Sequence, residues 1–261
     1  MTEMRSYPNG APCWVELGTT DLTSAQQFYS RLLGWTYVDT GEESGHYQMA
    51  MLRDHQIAGM MAMTPEMLDM QVPPSWTTYF SSDNVDDVSK WVTEHGGAVV
   101  TGPMDVMTQG RFLVARDPAG AVFGVWQPRD MPGSGLIGES GAVAWTELLS
   151  RDLEATGEFY AAVFGFEREP QDIGTGEPYT VFSIGEDQVA GMMAMPSDVP
   201  AEAPSYWMTY FVVPDADTAV ATVRELDGTV LVEPRDTEYG RWAMIADPQG
   251  AVLSVLAVPA S

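Results

Sequence analysis

Positive charge is scarce in this sequence of 261 residues. Twelve lysine and arginine residues stand against 37 aspartate and glutamate residues, which leaves a formal net charge of −25. A field of that sign repels phosphate backbones and anionic lipid headgroups, so we expect neither a nucleic-acid partner nor a role at a membrane. The sequence also lacks an apolar run of about 18 residues, the length that a membrane-spanning helix needs.

Cysteine and histidine are rare as well. The one cysteine, Cys13, cannot form an internal disulfide, and the polar N-terminus has no apolar stretch of the kind found in secretory signals. Both observations favour the cytoplasm. The three histidines, His46, His55 and His95, lie in a predicted turn or at the ends of predicted elements, so we interpret them as surface or helix-dipole residues and not as metal ligands.

The dominant feature of the sequence is an internal duplication. The stretch WVELGTTDLTSAQQFYSRLLGW at 14–35 returns as WTELLSRDLEATGEFYAAVFGF at 145–166, and further pairs recur at nearly the same offset. A segment at 128–140 with two prolines and three glycines has the composition of a linker. We therefore predict two similar domains, one over 11–127 and one over 141–259.

Both copies show the same predicted order of elements, β-α-β-β-β-β-α-β-β-β, which makes the fold class α+β. In the first copy the residues 12–19 alternate as a strand does, and Asp21 caps a helix that ends at Gly34. Apolar residues within that helix recur every three or four positions. The sequence Asp-Pro-Ala-Gly that starts at Asp117 predicts the last hairpin turn, and Asp-Pro-Gln-Gly takes its place in the second copy.

Three features together resemble the vicinal oxygen chelate superfamily of glyoxalases, bleomycin-resistance proteins and extradiol dioxygenases. They are the helix motif with Asp-Leu, Phe-Tyr and Gly, the Asp-Pro-x-Gly turn, and the order of elements. The resemblance covers nearly the whole chain, and it extends to a two-domain group labelled glyoxalase-like or hydroxylase-like. It implies tandem domains, each built from two βαβββ modules that curl around a cleft.

Metal-dependent members of this superfamily carry His or Glu ligands on the first, fourth, fifth and eighth strands of a domain. The matching positions here offer no adequate ligand set, because indole does not bind divalent cations and glycine has no side chain. We therefore predict that the protein uses neither a metal ion nor another cofactor. The residues at or next to these positions are Trp14, Gly59, Thr77 and Gly124 in copy one and Trp145, Gly191, Met208 and Ser254 in copy two.

Aromatic and methionine side chains line the predicted cleft instead. Methionine is flexible and polarisable, so the seventeen methionines, with their repeated AGMMAM motif, suit a pocket that fits around a flat apolar ligand. The alternative is that the AGMMAM strand only fills the core. The predicted ligand-binding residues are Trp14, Thr77, Tyr79, Arg111, Trp126, Trp145, Met208, Tyr210 and Arg241.

Glu16 and its counterpart Glu147 are the polar residues of greatest interest. Each lies in the middle of an apolar strand, on the inferred cleft face. A carboxyl group that is partly removed from water has a raised pKa and suits a general base or a hydrogen-bond anchor. The alternative is a structural ion pair with Arg111 or Arg241, each at the start of another predicted cleft strand.

Two functions follow from these observations. The first is a metal-free binding protein that sequesters or carries a flat apolar small molecule, such as a secondary metabolite or an antibiotic. The second is an enzyme that uses Glu16 or Glu147 as an acid or base on an oxygenated aromatic or aldehyde-type substrate. In either case we expect a small-molecule ligand and a monomer or weak homodimer, since the acidic surface disfavours association.

Overall fold

The computed structural model describes residues 2–174, 176–197 and 199–259. The first half of the chain forms nine strands: β1 (Thr2–Glu3), β2 (Pro12–Thr19), β3 (Thr36–Asp39), β4 (Gln48–Leu52), β5 (His55–Ala62), β6 (Ser75–Ser81), β7 (Ala98–Val106), β8 (Gly110–Arg116) and β9 (Val122–Pro128). Its helices are α1 (Leu22–Leu33), α2 (Pro65–Asp69) and α3 (Val85–Glu94), and Glu42–Ser44 forms a 3-10 turn.

The second half repeats this arrangement. Its strands are β10 (Leu136–Ile137), β11 (Val143–Ser150), β12 (Glu167–Gln171), β13 (Tyr179–Ile184), β14 (Asp187–Ala194), β15 (Tyr206–Val212), β16 (Thr229–Thr237), β17 (Gly240–Ala246) and β18 (Val252–Ala257). Its helices are α4 (Leu153–Phe164) and α5 (Ala216–Glu225). None of the helices in the described ranges is long and apolar enough to cross a membrane.

Each copy forms a sheet of its own. The first sheet has the order β3-β4-β5-β2-β6-β9-β8-β7, and the second has the equivalent order β12-β13-β14-β11-β15-β18-β17-β16, with β1 and β10 added beside β11. Within the first sheet, β2 pairs with β5 in parallel and with β6 antiparallel, so the two modules meet at β2 and β6. The predicted tandem α+β fold, with two βαβββ modules in each copy, is confirmed.

Local sequence signals set the ends of the long helices. The Asp21 side chain accepts a 3.0 Å hydrogen bond from the backbone N–H of Ser24, which satisfies one of the free N–H groups of α1. Gly34 ends the helix in the left-handed conformation, with φ of 76°. Asp152 and Gly165 play the same two parts for α4. The predicted start and end of the first helix are therefore confirmed.

The two copies share their cores. One core combines the first module of copy one with the second module of copy two, and the other combines the remaining two modules. Helix α1 packs beside α5, and α3 packs beside α4. Local patterns along the chain predict the strands and helices, whereas this exchange of modules across the copies buries the helix-facing side of both sheets.

The segment 128–140, predicted as a linker, is packed onto copy one. It contains β10, which pairs with β1 and β11. The side chain of Met131 is buried, and its carbonyl oxygen accepts a 2.8 Å hydrogen bond from Nε1 of Trp126. This segment therefore covers one side of the first sheet as well as joining the two copies.

Candidate functional site

Strand β2 separates its side chains between two faces. Val15 and Leu17 point into the core shared with copy two. Glu16 is on the opposite face, and it pairs in register with Gly59 of β5 and Thr77 of β6. The concave face predicted from strand alternation therefore has a carboxyl group at its centre.

Glu16 is held by two tyrosine hydroxyls. Tyr47 donates a hydrogen bond of 2.8 Å to Oε2, and Tyr79 donates one of 3.0 Å to Oε1. The Tyr47 oxygen in turn accepts a 3.2 Å hydrogen bond from Nε1 of Trp14. Burial raises the pKa of Glu16 above its ordinary value of 4.5, and the two tyrosine hydrogen bonds act in the opposite direction.

Copy two repeats the network. Tyr210 donates a 3.0 Å hydrogen bond to Oε1 of Glu147, and the nearby Tyr179 hydroxyl acts to lower the pKa of this carboxyl group. Nε1 of Trp145 donates to the Tyr179 oxygen at 3.0 Å. Burial raises the pKa of Glu147 as well. The duplication has thus preserved a unit of one indole, two phenols and one carboxyl group.

The tyrosines at these sites remain hydrogen-bond donors. Burial raises the pKa of Tyr47 and of Tyr79 well above 10, and the negative charge of Glu16 raises both further. The same two causes, in the same order, raise the pKa of Tyr210 beside Glu147. A neutral hydroxyl can donate one hydrogen bond and accept others, so each site offers both functions to a ligand.

Tyrosine rings fill the places where the resemblance implies metal ligands. A Cβ atom added at Gly59 would overlap the Tyr47 hydroxyl, and one added at Gly124 would overlap the ring of Tyr79. In copy two, a Cβ at Gly191 would overlap the Tyr179 hydroxyl. No metal-binding group of three His, Cys, Asp or Glu side chains occurs in the described part of the chain. These residues do not fit a divalent cation.

The two predicted arginines lie on the other face of their sheets. Arg111 shares a strand face with Leu113, which is in the helix-packed core, and it binds Asp86 of α3, with one N–O distance of 3.2 Å. Arg241 binds Asp217 of α5 at 2.7 Å. The alternative that Glu16 pairs with Arg111 and Glu147 with Arg241 is wrong, and neither of these predicted ligand-binding arginines lines the cleft. Successive residues of a strand point to opposite faces, so an arginine that shares a face with core residues lies on the face opposite Glu16.

The repeated methionines divide between the two faces. Met60 and Met192 are buried in the two shared cores, as the core-filling alternative predicted for this strand. Met61 follows on the concave side and is half-buried, as is Met193 in copy two. One methionine of each adjacent pair is therefore available to a ligand.

Sequence reasoning missed Tyr47 and Tyr179. Tyr47 immediately precedes β4, and Tyr179 begins β13, so neither belongs to the motifs that carry the resemblance. Their hydroxyls reach the carboxyl groups across two glycine positions. The duplication could have revealed them, since the two tyrosines occupy equivalent positions in the two copies.

The three histidines have partners other than Glu16 and Glu147. His46 is exposed and lies 3.0 Å from Asp39, and Nδ1 of His95 lies 2.8 Å from the carbonyl oxygen of Trp91 at the end of α3. His55 is half-buried beside Glu3. Their positions at the ends of elements agree with the interpretation as surface residues.

Comparison with known proteins places both copies in one family. The family model described as "Glyoxalase/Bleomycin resistance protein/Dioxygenase superfamily" matches residues 13–125 and 142–255. The "Putative glyoxylase CFP32" of Mycobacterium tuberculosis is 38% identical over 259 residues, covering 98% of each chain. The "Anthracycline biosynthesis protein DnrV" of Streptomyces peucetius is 34% identical over 265 residues, covering 97% of this chain and 95% of that protein.

Solved structures agree on the fold. A Mn(II)-bound glyoxalase from Novosphingobium aromaticivorans has a TM-score of 0.64 at 14% identity, covering 95% of this chain and 82% of its own. The 2,3-dioxygenase LapB from Pseudomonas sp. KL28 has a TM-score of 0.64 at 12% identity, covering 97% and 94%. At such identities the likeness concerns the fold alone. With two matched repeats and close relatives over its full length, the chain belongs to the glyoxalase/bleomycin resistance protein/dioxygenase superfamily.

Proposed function

We propose that this protein binds a flat aromatic small molecule without a metal ion, for sequestration or carriage. The observation that carries the proposal is that glycines covered by tyrosine rings stand where the superfamily resemblance implies metal-binding side chains, as at Gly59 beneath Tyr47. The site that results is a carboxyl group with two phenolic hydroxyls among indole and thioether side chains. Such a site offers aromatic surface for stacking and a few polar groups for orientation.

The carboxyl and hydroxyl groups suit the polar substituents of an oxygenated ring system. A carboxyl group donates a hydrogen bond when protonated and accepts one when ionised, and the raised pKa of Glu16 brings these two states closer to neutral pH. Met61 and Met193 add adaptable apolar surface on the concave side. Ketone, quinone and phenol groups are the ligand groups that this combination would recognise.

The relatives support the choice of ring system. Two proteins that are 34% identical to this chain are named for anthracycline biosynthesis, one from Streptomyces peucetius and one from Streptomyces sp. strain C5. An anthracycline-type polycyclic ring is therefore a suitable first probe. We further propose a cytoplasmic protein, since its one cysteine, Cys13, is free and buried. We also propose a monomer or weak dimer, since a net charge of −25 disfavours association.

Acid–base catalysis by Glu16 is the second candidate. The observation in its favour is that Glu16 is only half-buried, beside the small Thr77, while burial raises its pKa. A reachable carboxyl group of raised pKa is able to move a proton on an oxygenated aromatic or aldehyde-type substrate. Glu147 is less accessible, because Met208 is buried at the position of Thr77.

The two candidates separate in one titration. Tryptophan fluorescence is followed as a hydroxyanthraquinone is added to the wild type, Glu16→Gln and Glu147→Gln, and the mixture is then assayed for product by mass spectrometry. For a binding protein, the glutamine variant of the copy that holds the ligand loses about 1–3 kcal/mol of affinity, roughly 5- to 150-fold. For an enzyme, turnover falls by about 10²- to 10⁴-fold with nearly unchanged affinity. Absence of binding by any polycyclic aromatic would refute the proposal.

A further inference from the structure

We infer that copy two holds the ligand, and that the ligand is a flat aromatic with an anionic substituent, a carboxylate or a phenolate, that pairs with Arg235. This inference rests on the proposed function and assigns its site and its charge class. It is carried by two differences between the aromatic surfaces of the clefts: the tryptophan and tyrosine rings of copy one are covered by its own chain, although the Glu16 carboxyl group is only half-buried, and copy two has a cation on its accessible rings.

The cover over copy one is an aromatic cluster closed by segment 128–140. Trp14 is 7% exposed, Tyr79 is 5% exposed and Met131 is 8% exposed, and they pack together with Trp126. The Tyr7 hydroxyl donates a 2.7 Å hydrogen bond to the carbonyl oxygen of Ser134, which ties the N-terminal segment to the same cover. A planar ligand would have to displace these side chains before reaching the indole or the phenol.

The equivalent surface of copy two is more open. Trp145 and Tyr210, the counterparts of Trp14 and Tyr79, are half-buried. Leu256, also half-buried, stands where copy one has the larger Trp126. The rings of Tyr210 and Trp242 lie 6.4 Å apart at 51° and form the wall of this cleft. An aromatic surface that is accessible in the folded protein can take a planar ring without rearrangement.

Arg235 lies on this wall. Its Cζ is 4.5 Å from the ring centroid of Trp242, the residue opposite it in the β16–β17 pairing. The corresponding pair in copy one is Met104 and Phe112, which carries no charge. Arg235 is exposed and takes part in none of the ion pairs that link the described residues. A guanidinium group lying against an indole keeps its N–H edge free for a bidentate contact with a carboxylate.

The net charge of the protein makes Arg235 important for the choice between an anionic and a neutral ligand. A protein with a formal net charge of −25 repels an anionic ligand. An anion therefore needs a local positive group, and a neutral aromatic does not. Glu147 is a positioning residue, because it is 6% exposed and accepts a 3.0 Å hydrogen bond from the Tyr210 hydroxyl, which fixes the ring of Tyr210 in the cleft wall.

The test uses two probes of the same shape, anthraquinone-2-carboxylate and anthraquinone-2-carboxamide, titrated calorimetrically into the intact protein. We expect one molecule of carboxylate per chain. Arg235→Met introduces the residue found in copy one, and it should weaken carboxylate binding at least tenfold while carboxamide binding changes less than twofold. The control is Arg129→Met, which removes an exposed arginine of the first half of the chain, paired there with Asp105, and it should leave both affinities within twofold.

A second variant tests the location independently of charge. Leu256→Trp places the larger side chain of copy one in the cleft of copy two, and it should weaken both probes at least tenfold, with a thermal melt to verify folding. Two molecules per chain, equal losses for the two probes in Arg235→Met, or full binding in Leu256→Trp would overturn the inference and leave the proposed function standing. If neither probe binds the wild type, the proposed function fails and the inference fails with it.

Discussion

The hydroxyl of Tyr29, on helix α1 of copy one, donates a 3.1 Å hydrogen bond to the carboxylate of Asp247, in the last hairpin turn of copy two. Nε1 of Trp76 donates to the Tyr29 oxygen at 3.0 Å. The other Asp247 oxygen accepts backbone N–H groups of its own turn, including that of Ala251 at 2.9 Å. One aspartate therefore shapes a turn in one copy and binds a helix of the other.

The mirror contact joins the remaining modules. Tyr160 of α4 donates a 3.2 Å hydrogen bond to Asp117, and Nε1 of Trp207 donates to the Tyr160 oxygen at 2.8 Å. All of these polar groups are buried between the copies. The Phe-Tyr and Asp-Pro-x-Gly motifs, which look like separate local signals in the sequence, are the two halves of one interface.

Removing a hydroxyl from this interface should destabilise the whole chain. Tyr29→Phe or Tyr160→Phe leaves a buried carboxylate and a buried indole N–H with one partner fewer, at a cost of about 1–3 kcal/mol in the free energy of unfolding. Urea denaturation followed by tryptophan fluorescence measures the change. Tyr239→Phe is the control, because Tyr239 is 48% exposed and its hydroxyl oxygen accepts a 2.9 Å hydrogen bond from Nε2 of Gln171 at the surface, so this variant should stay within about 0.5 kcal/mol of the wild type. Equal stabilities in all variants would contradict the role of the interface.

Gly59 should tolerate no side chain. Gly59→Ala places a Cβ on the Tyr47 hydroxyl, which forces Tyr47 away from Glu16 and costs about 1–3 kcal/mol of unfolding free energy. Gly18→Ala is the matched control in a neighbouring strand, since the nearest atom to its Cβ is Cγ of Met63 at 3.8 Å. Because alanine restricts the unfolded chain, the control should be as stable as the wild type or slightly more stable. Equal melting temperatures of the two variants would show that Tyr47 is not held at this place.

The carboxyl group of Glu16 should give a pH-dependent stability of predictable sign. Its folded-state pKa is raised above 4.5, so the folded protein binds its proton more tightly than the unfolded chain does. The contribution is complete below pH 4.5 and is lost as the pH rises through the raised folded pKa. Urea unfolding of the wild type and of Glu16→Gln across this range should show their difference shrinking or reversing in favour of the variant as the pH increases. Parallel curves would indicate that burial does not perturb this carboxyl group.

Chelation should leave the protein unchanged. Glycines covered by tyrosine rings stand at the implied ligand positions, so EDTA should not shift the melting temperature, and added divalent cations should not raise it. Elemental analysis of the purified protein should find no stoichiometric zinc, nickel, iron or manganese. One such ion per copy, lost together with stability on chelation, would contradict the assignment of these positions.

Local patterns determine much of this protein. The bounds of α1 follow from Asp21 and Gly34, because a capping side chain and a left-handed glycine act on their own turn of helix. The strand over 12–19 follows from alternation, and the duplication predicts the second copy from the first. The superfamily, the βαβββ modules and the placement of Glu16 on the concave face all depend on such short-range information.

Contacts between distant residues decided the rest. Tyr47 reaches Glu16 from another strand, and Met131 covers copy one from a segment whose composition indicates only a linker. Arg111 binds Asp86 of helix α3 and not Glu16, because its face of the strand is the one that packs on the helices. Alternation tells which residues of a strand share a face, but pairing with partners far along the chain depends on how the modules pack. For the same reason, two copies of one pattern acquired different clefts, one covered by a methionine and one bordered by Arg235.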